Sequence, residues 1–132
     1  MTALLLDTTV LIDAERERDS LDRLIGDDDT VAIAAITAAE LLVGVHLATQ
    51  RHQDRRRAFA DAVLDAIPVL SYDAEVAVAH AELLAETQRA GRARGAHDLI
   101  IAATARTTNR SVVTADPQGF EGLTGVFVST YR

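Results

Sequence analysis

The sequence predicts an α/β domain with a mostly parallel central sheet. Short apolar runs rich in Val, Ile and Leu alternate with segments of helical periodicity along the whole chain, which is the pattern of repeated strand–helix units. Acidic residues stand where apolar runs end or helices begin, which is where an open α/β sheet gathers its ligand-binding groups. No linker, internal repeat or low-complexity tract interrupts the pattern, so residues 1–132 are expected to form one domain.

The first strand is expected over about Ala3–Leu6, followed by a short helix from Thr9 and another around Ser20–Ile25. A second strand over Val31–Ile36 leads into a helix on which Leu41, Leu42, Val45 and Leu47 form one broad apolar face. Arg51–Ile67 reads as a further helix, with Phe59, Val63, Leu64 and Ile67 at helical spacing and Pro68 at its end. Pro68-Val69-Leu70 is a short strand. Ser71 or Asp73 caps the next helix, which carries Val76, Val78, Leu83 and Leu84 and stops near Gly91. After a loop over Arg92–Gly95, a largely buried helix spans Asp98–Thr107, and strands follow over Val112-Val113 and Val126–Val128.

Composition narrows the chemistry. With 48% hydrophobic residues a chain of 132 can bury a core unaided, and without cysteine it holds neither a disulfide framework nor a thiolate zinc site. The start lacks the basic and long apolar regions of a secretory signal, and no stretch approaches the roughly 20 apolar residues of a membrane span, so a cytosolic protein is expected. All basic side chains other than histidine are arginine. The missing lysine removes P-loop nucleotidases and Schiff-base chemistry, as well as receiver and haloacid-dehalogenase-like domains, which place a lysine near their aspartates. The net charge of −7 disfavours a polyanionic partner globally, but arginines gather at Arg51, Arg55, Arg56 and Arg57 and at Arg89, Arg92 and Arg94. Such patches are either solvated helix faces or grips for phosphate.

Four acids carry the functional argument: Asp7, Glu40, Asp98 and Asp116. Singly, each has an ordinary explanation. Thr37-Ala38-Ala39-Glu40 fits a capping box, Asp116-Pro117-Gln118-Gly119 fits a type I turn, Asp98 complements a helix dipole, and Asp7 caps a helix. Jointly they would crowd negative charge into one crevice, which a divalent cation resolves; oxygen-only ligands favour Mg²⁺ or Mn²⁺, the ions of phosphate chemistry. Thr9 and Thr114 are placed to orient the carboxylates. The four histidines do not form metal-ligand spacing with one another, and His97 reads as a bystander. No serine has the glycine-flanked setting of a hydrolase nucleophile. Aromatics at 4% leave RNA recognition to arginine and shape.

These residues also resemble a known family. Leu4-Leu5-Leu6-Asp7-Thr8-Thr9, Ile36-Thr37-Ala38-Ala39-Glu40-Leu41-Leu42, Asp98-Leu99-Ile100-Ile101-Ala102-Ala103 and Thr114-Ala115-Asp116 followed by Phe120 are similar, in order and spacing, to the motifs of PIN-domain ribonucleases. The compact length resembles the VapC toxins of bacterial toxin–antitoxin pairs. The resemblance implies a PIN-like three-layer α/β/α fold and a metal-dependent endoribonuclease. It implies Asp7, Asp98 and Asp116 as ligands of Mg²⁺ or Mn²⁺, with Glu40 completing the catalytic quartet. It also implies RNA as substrate, a cognate VapB-like antitoxin, a homodimer and no membrane. One position departs from the family: many relatives place a further acid where this chain has Gly119. Two alternatives stand beside this reading, an RNA-maturation nuclease of the same fold and a non-catalytic protein- or RNA-binding module.

Overall fold

The computed structural model describes residues 2–17 and 29–129. Among them the chain forms β1 (Thr2–Leu6), α1 (Thr8–Glu17), β2 (Asp29–Ala34), α2 (Ala35–Leu47), α3 (Gln50–Ala66), β3 (Val69–Leu70), α4 (Ala74–Ala90), α5 (Ala96–Thr107), β4 (Ser111–Val113) and β5 (Val128–Ser129). The helix expected around Ser20–Ile25 lies outside the described residues.

All strand pairings are parallel, in the order β3-β2-β1-β4-β5. Alternation along the strands sorts side chains onto two faces. Leu5, Ala32, Ala34 and Val112 pack with Val76, Leu83, Leu99, Ile101 and Phe120 on the side of α4 and α5. Leu4, Leu6, Ile33 and Val113 pack with Val10, Leu11, Leu41, Val45, Val63 and Ile67 on the side of α1, α2 and α3. The result is the expected three-layer α/β/α arrangement. The chain builds outward from β1 through β2 to β3, then returns to the other flank of β1 as β4. Such a reversal leaves a crevice at the carboxyl ends of the two central strands.

Several boundaries differ from expectation. β2 ends at Ala34, and Ile36 already belongs to α2, because nothing in Ala34-Ala35-Ile36 separates strand from helix by propensity. The capping box fails for the same reason: α2 begins at Ala35 behind an Ala34 cap with no side-chain bond, which puts Thr37 inside the helix. Leu47 is 80% exposed and Val78 63% exposed, so neither belongs to the apolar face of its helix. Val78 follows Val76 by two positions, about 200° around the helix, and therefore points away from it. Other punctuation holds. Asp73 caps α4 by accepting from the Val76 amide at 3.0 Å, and Gly91 ends it at φ 66°, a left-handed conformation that glycine adopts without strain. Among the described residues no helix is long and apolar enough to cross a membrane.

Candidate active site

Asp7 leaves the end of β1, and its amide donates to the Val113 carbonyl at 3.0 Å, which fixes it at the crevice between β1 and β4. It is only 2% exposed. Oδ1 accepts from the Thr9 hydroxyl at 2.5 Å and from the Val10 amide at 3.3 Å, so Asp7 also caps α1 as the sequence suggests. Oδ2 accepts from the Thr114 hydroxyl at 2.6 Å. The threonines are held in turn: the Ala115 amide donates to Thr9 Oγ1 at 3.0 Å, and the Asp116 amide donates to Thr114 Oγ1 at 2.9 Å. Each hydroxyl thus relays one backbone amide after β4 to one oxygen of Asp7. A carboxylate has about four acceptor positions. Two on Oδ1 and one on Oδ2 are filled, which leaves an open position on Oδ2. Burial raises the Asp7 pKa, and the hydrogen bonds from Thr114, Thr9 and Val10 oppose that rise.

Asp98 is the third residue of α5, whose amino end reaches the same end of the sheet because its carboxyl end must feed β4. Burial raises its pKa first, and the charges of Asp7, Asp116 and Glu40 raise it further, while His97 acts the other way. All three other acids therefore lie within electrostatic reach of Asp98, and the four expected residues share one neighbourhood. Asp98 also sits in a notch of glycines. A Cβ built on Gly119 would stand 2.8 Å from its Oδ2, and one on Gly95 would stand 3.0 Å away. The missing acid at Gly119 is thus matched by a carboxylate occupying the space its side chain would need.

Glu40 projects from α2. Its Oε1 accepts from the Thr8 hydroxyl at 2.8 Å and its Oε2 lies 3.5 Å from His97 Nδ1. His97, which the sequence suggests is a bystander, is thus a neighbour of Glu40. Asp116 follows β4 and precedes the 3₁₀ turn Pro117–Gly119, which closes through the Gly119 amide on the Asp116 carbonyl at 3.3 Å. The expected turn is present, but the Asp116 side chain does not cap it and stays available. Arg94, grouped by sequence with a phosphate-gripping patch, instead donates to the carbonyls of Gln118 at 2.8 Å and Glu121 at 2.6 Å. It clamps the segment holding Asp116 and Gly119 against the loop before α5.

The donor set is entirely carboxylate oxygen, with Asp7 and Asp98 buried enough to penalise their own charge and Asp116 exposed, and this chemistry fits a hard divalent cation. Among the described residues no three or more His, Cys, Asp or Glu side chains stand close enough together to hold a metal ion. That agrees with their mutual repulsion, since Coulombic coupling extends over several ångströms while Mg²⁺–oxygen bonds span only about 2.0–2.1 Å. Glu40 contacts Thr8 and His97, and Asp98 feels the charges of Asp7, Asp116 and Glu40.

Comparison with known proteins bears on this geometry. A family model described as the PIN domain matches residues 4–124. The chain is 28% identical over 128 residues to a tRNA(fMet)-specific endonuclease VapC from Shigella flexneri, with 96% of each chain covered. It is 35% identical over 126 residues to plasmid stability protein StbB from Pseudomonas syringae pv. tomato, covering 89% of this chain and 91% of that one. Among solved structures, VapBC-5 from Mycobacterium tuberculosis, a member of the VapBC family of toxin–antitoxin systems, superposes with a TM-score of 0.81. It is 32% identical, and the match covers 98% of this chain and 99% of the other.

Proposed function

This chain belongs to the PIN-domain family, and from that premise we propose that it is a metal-dependent endoribonuclease, the toxin half of a VapBC-type toxin–antitoxin pair. The observation that carries the reading is the convergence of four acids from four separate elements on the crevice between β1 and β4, with Asp98 sensing the charges of the other three. Asp7, Asp98 and Asp116 would hold Mg²⁺, or Mn²⁺ in its place. When bound, that ion supplies charge neutralisation at a phosphate oxygen and a lowered pKa for a water.

The chain's own residues do the rest. Thr9 and Thr114 fix both oxygens of Asp7, so its open Oδ2 position is aimed before any substrate arrives. Glu40, with Oε1 held by Thr8, is placed to take the proton of the attacking water on Oε2, beside His97. The substrate is RNA, the partner is a VapB-like antitoxin, the active form is a homodimer in the cytoplasm, and residues 1–132 act as one domain. Cleavage of total RNA by the purified chain with Mg²⁺ or Mn²⁺, beside a chelator control and Asp98→Asn, tests this reading. Discrete fragments that vanish in both controls are expected; no cleavage with either metal and any RNA would leave a binding module.

A further inference from the structure

A cavity of about 330 Å³ opens beside the acids, walled by α1, α2 and α3, and it shares Thr8 and Glu40 with the candidate active site. Its lining combines an apolar shelf of Ile12, Leu41 and Phe59 with three arginines, Arg16, Arg55 and Arg56. The arginines are not equivalent. Arg56 builds the wall: it donates to the Gly44 carbonyl at 3.4 Å and lies 3.7 Å from a Glu15 oxygen. Arg55, the preceding residue on α3, is exposed and makes no ion pair or hydrogen bond to another described residue. Arg16 supplies a second exposed guanidinium from the last turn of α1.

This combination suits one kind of occupant. The chain carries a net charge of −7, so a polyanion is held only where positive charge is concentrated. Here the concentration adjoins Glu40 and surrounds a surface suited to the face of a ring. Cavities of roughly 300–1,000 Å³ take small ligands, and this one falls at the low end, enough for one nucleoside and too small for a folded element. Unstacked bases of single-stranded RNA settle on aromatic and guanidinium planes, with arginine on the backbone phosphate. We propose that this cavity is a nucleotide subsite. It receives one splayed base of the RNA against Phe59 and Leu41, with the adjoining phosphate on Arg55 and Arg16, and so fixes which nucleotide flanks the bond that is cut. The proposal rests on the nuclease reading above, which supplies the RNA.

The test uses the full chain. Binding of a fluorescently labelled single-stranded RNA hexamer is measured by anisotropy with Asp98→Asn, which prevents cleavage, and with that variant carrying Arg55→Ala or Phe59→Leu. Each added change should weaken binding about tenfold, within the range for one lost stacking or phosphate contact. Circular dichroism and melting confirm the fold, and exposed Arg55 keeps the test open should Phe59→Leu disturb packing. In the otherwise unaltered chain, Arg55→Ala should change the nucleotide preference at the cut. Unchanged binding and unchanged cut sites in both variants overturn the subsite. The same holds if RNA binding is unchanged while affinity for the antitoxin drops, because the cavity is then a peptide site. Weakened binding in a chain that cleaves no RNA would keep the subsite and overturn the nuclease reading, so the two failures are distinguishable.

Discussion

Replacing Thr114 with valine preserves the shape of a side chain that is 1% exposed and deletes a single hydroxyl. That hydroxyl donates to Asp7 Oδ2 at 2.6 Å and accepts from the Asp116 amide at 2.9 Å. A hydrogen bond to a charged group contributes about 1.5–3 kcal/mol, against about 0.5–1.5 kcal/mol for a neutral pair. The difference makes the effect pH-dependent. Burial already holds the Asp7 carboxyl above its ordinary value of 3.8, with Thr114 foremost among the groups opposing that rise. Between the unfolded and the raised folded value the native state binds more protons, so stability falls as pH climbs through that window, and the penalty is complete above it. Losing Thr114 raises the folded value further and widens the window. Thr114→Val should therefore cost about 1.5–3 kcal/mol at pH 7 and only about 1 kcal/mol at a pH acid enough to protonate Asp7 in the native state. Urea unfolding followed by circular dichroism in chelator at the two pH values measures both. An equal loss at each pH, or none at pH 7, would refute the claim that the threonine holds an ionised carboxylate.

Asp98→Asn should lower cleavage by about 10²–10⁴-fold. It should also stabilise the metal-free chain at neutral pH, because it removes a desolvated charge repelled by Asp7, Asp116 and Glu40, and the decline of stability with rising pH should flatten. Mg²⁺ at a hundred times its dissociation constant should add about 2.7 kcal/mol to the unfolding free energy of the native sequence and far less to Asp98→Asn, read from urea midpoints. Gly119→Ala places a methyl group 2.8 Å from Asp98 Oδ2, so the carboxylate must rotate out of its notch; cleavage and Mn²⁺ affinity should each fall about tenfold or more, corresponding to about 1.4 kcal/mol, while the melting temperature hardly moves. Thr37→Val separates two readings of α2: if Thr37 capped the helix it would cost about 1 kcal/mol, but Thr37 is fully buried with an unpartnered hydroxyl, and removing it should stabilise the chain by about 1 kcal/mol.

What the sequence revealed of the site follows from how local each signal is. Asp7 and Asp116 are legible because an apolar run of β-branched residues and leucine stops directly before them or two residues earlier, and strand ends are marked by that change of composition. The sequence places Glu40 at the third helical position of a capping box, whereas α2 begins at Ala35, because Ala34 offers no capping side chain and Thr37 is the first residue that does. Contacts between distant segments left no trace in spacing. Thr8 meets Glu40 across 32 positions, and Arg94 reaches Gln118 and Glu121 across 24 and 27. Nothing in the chain marks Arg94 as different from Arg92, although one clamps the Asp116 segment. Composition overrules phase at Leu47, an apolar residue that is 80% exposed as the last residue of α2.

The convergence of the acids has one topological cause. With β1 central and its neighbours β2 and β4 reached by connections leaving to opposite sides, the carboxyl ends of β1 and β4 must open a crevice, and residues after those strands must face it. The amino end of α5 is forced to the same edge, because α5 has to run back across the sheet to begin β4. Asp98 is therefore delivered by chain direction alone, and Gly95 and Gly119 supply the space its carboxylate occupies there. This arrangement is electrostatically uphill by itself, as the raised values of Asp7 and Asp98 record. The Thr9 and Thr114 relays lessen the cost for Asp7, whereas Asp98 gains no hydrogen bond among those that set its value. The unrelieved part of the repulsion is what a bound cation would remove, which makes Asp98 the residue whose charge should couple most strongly to metal binding.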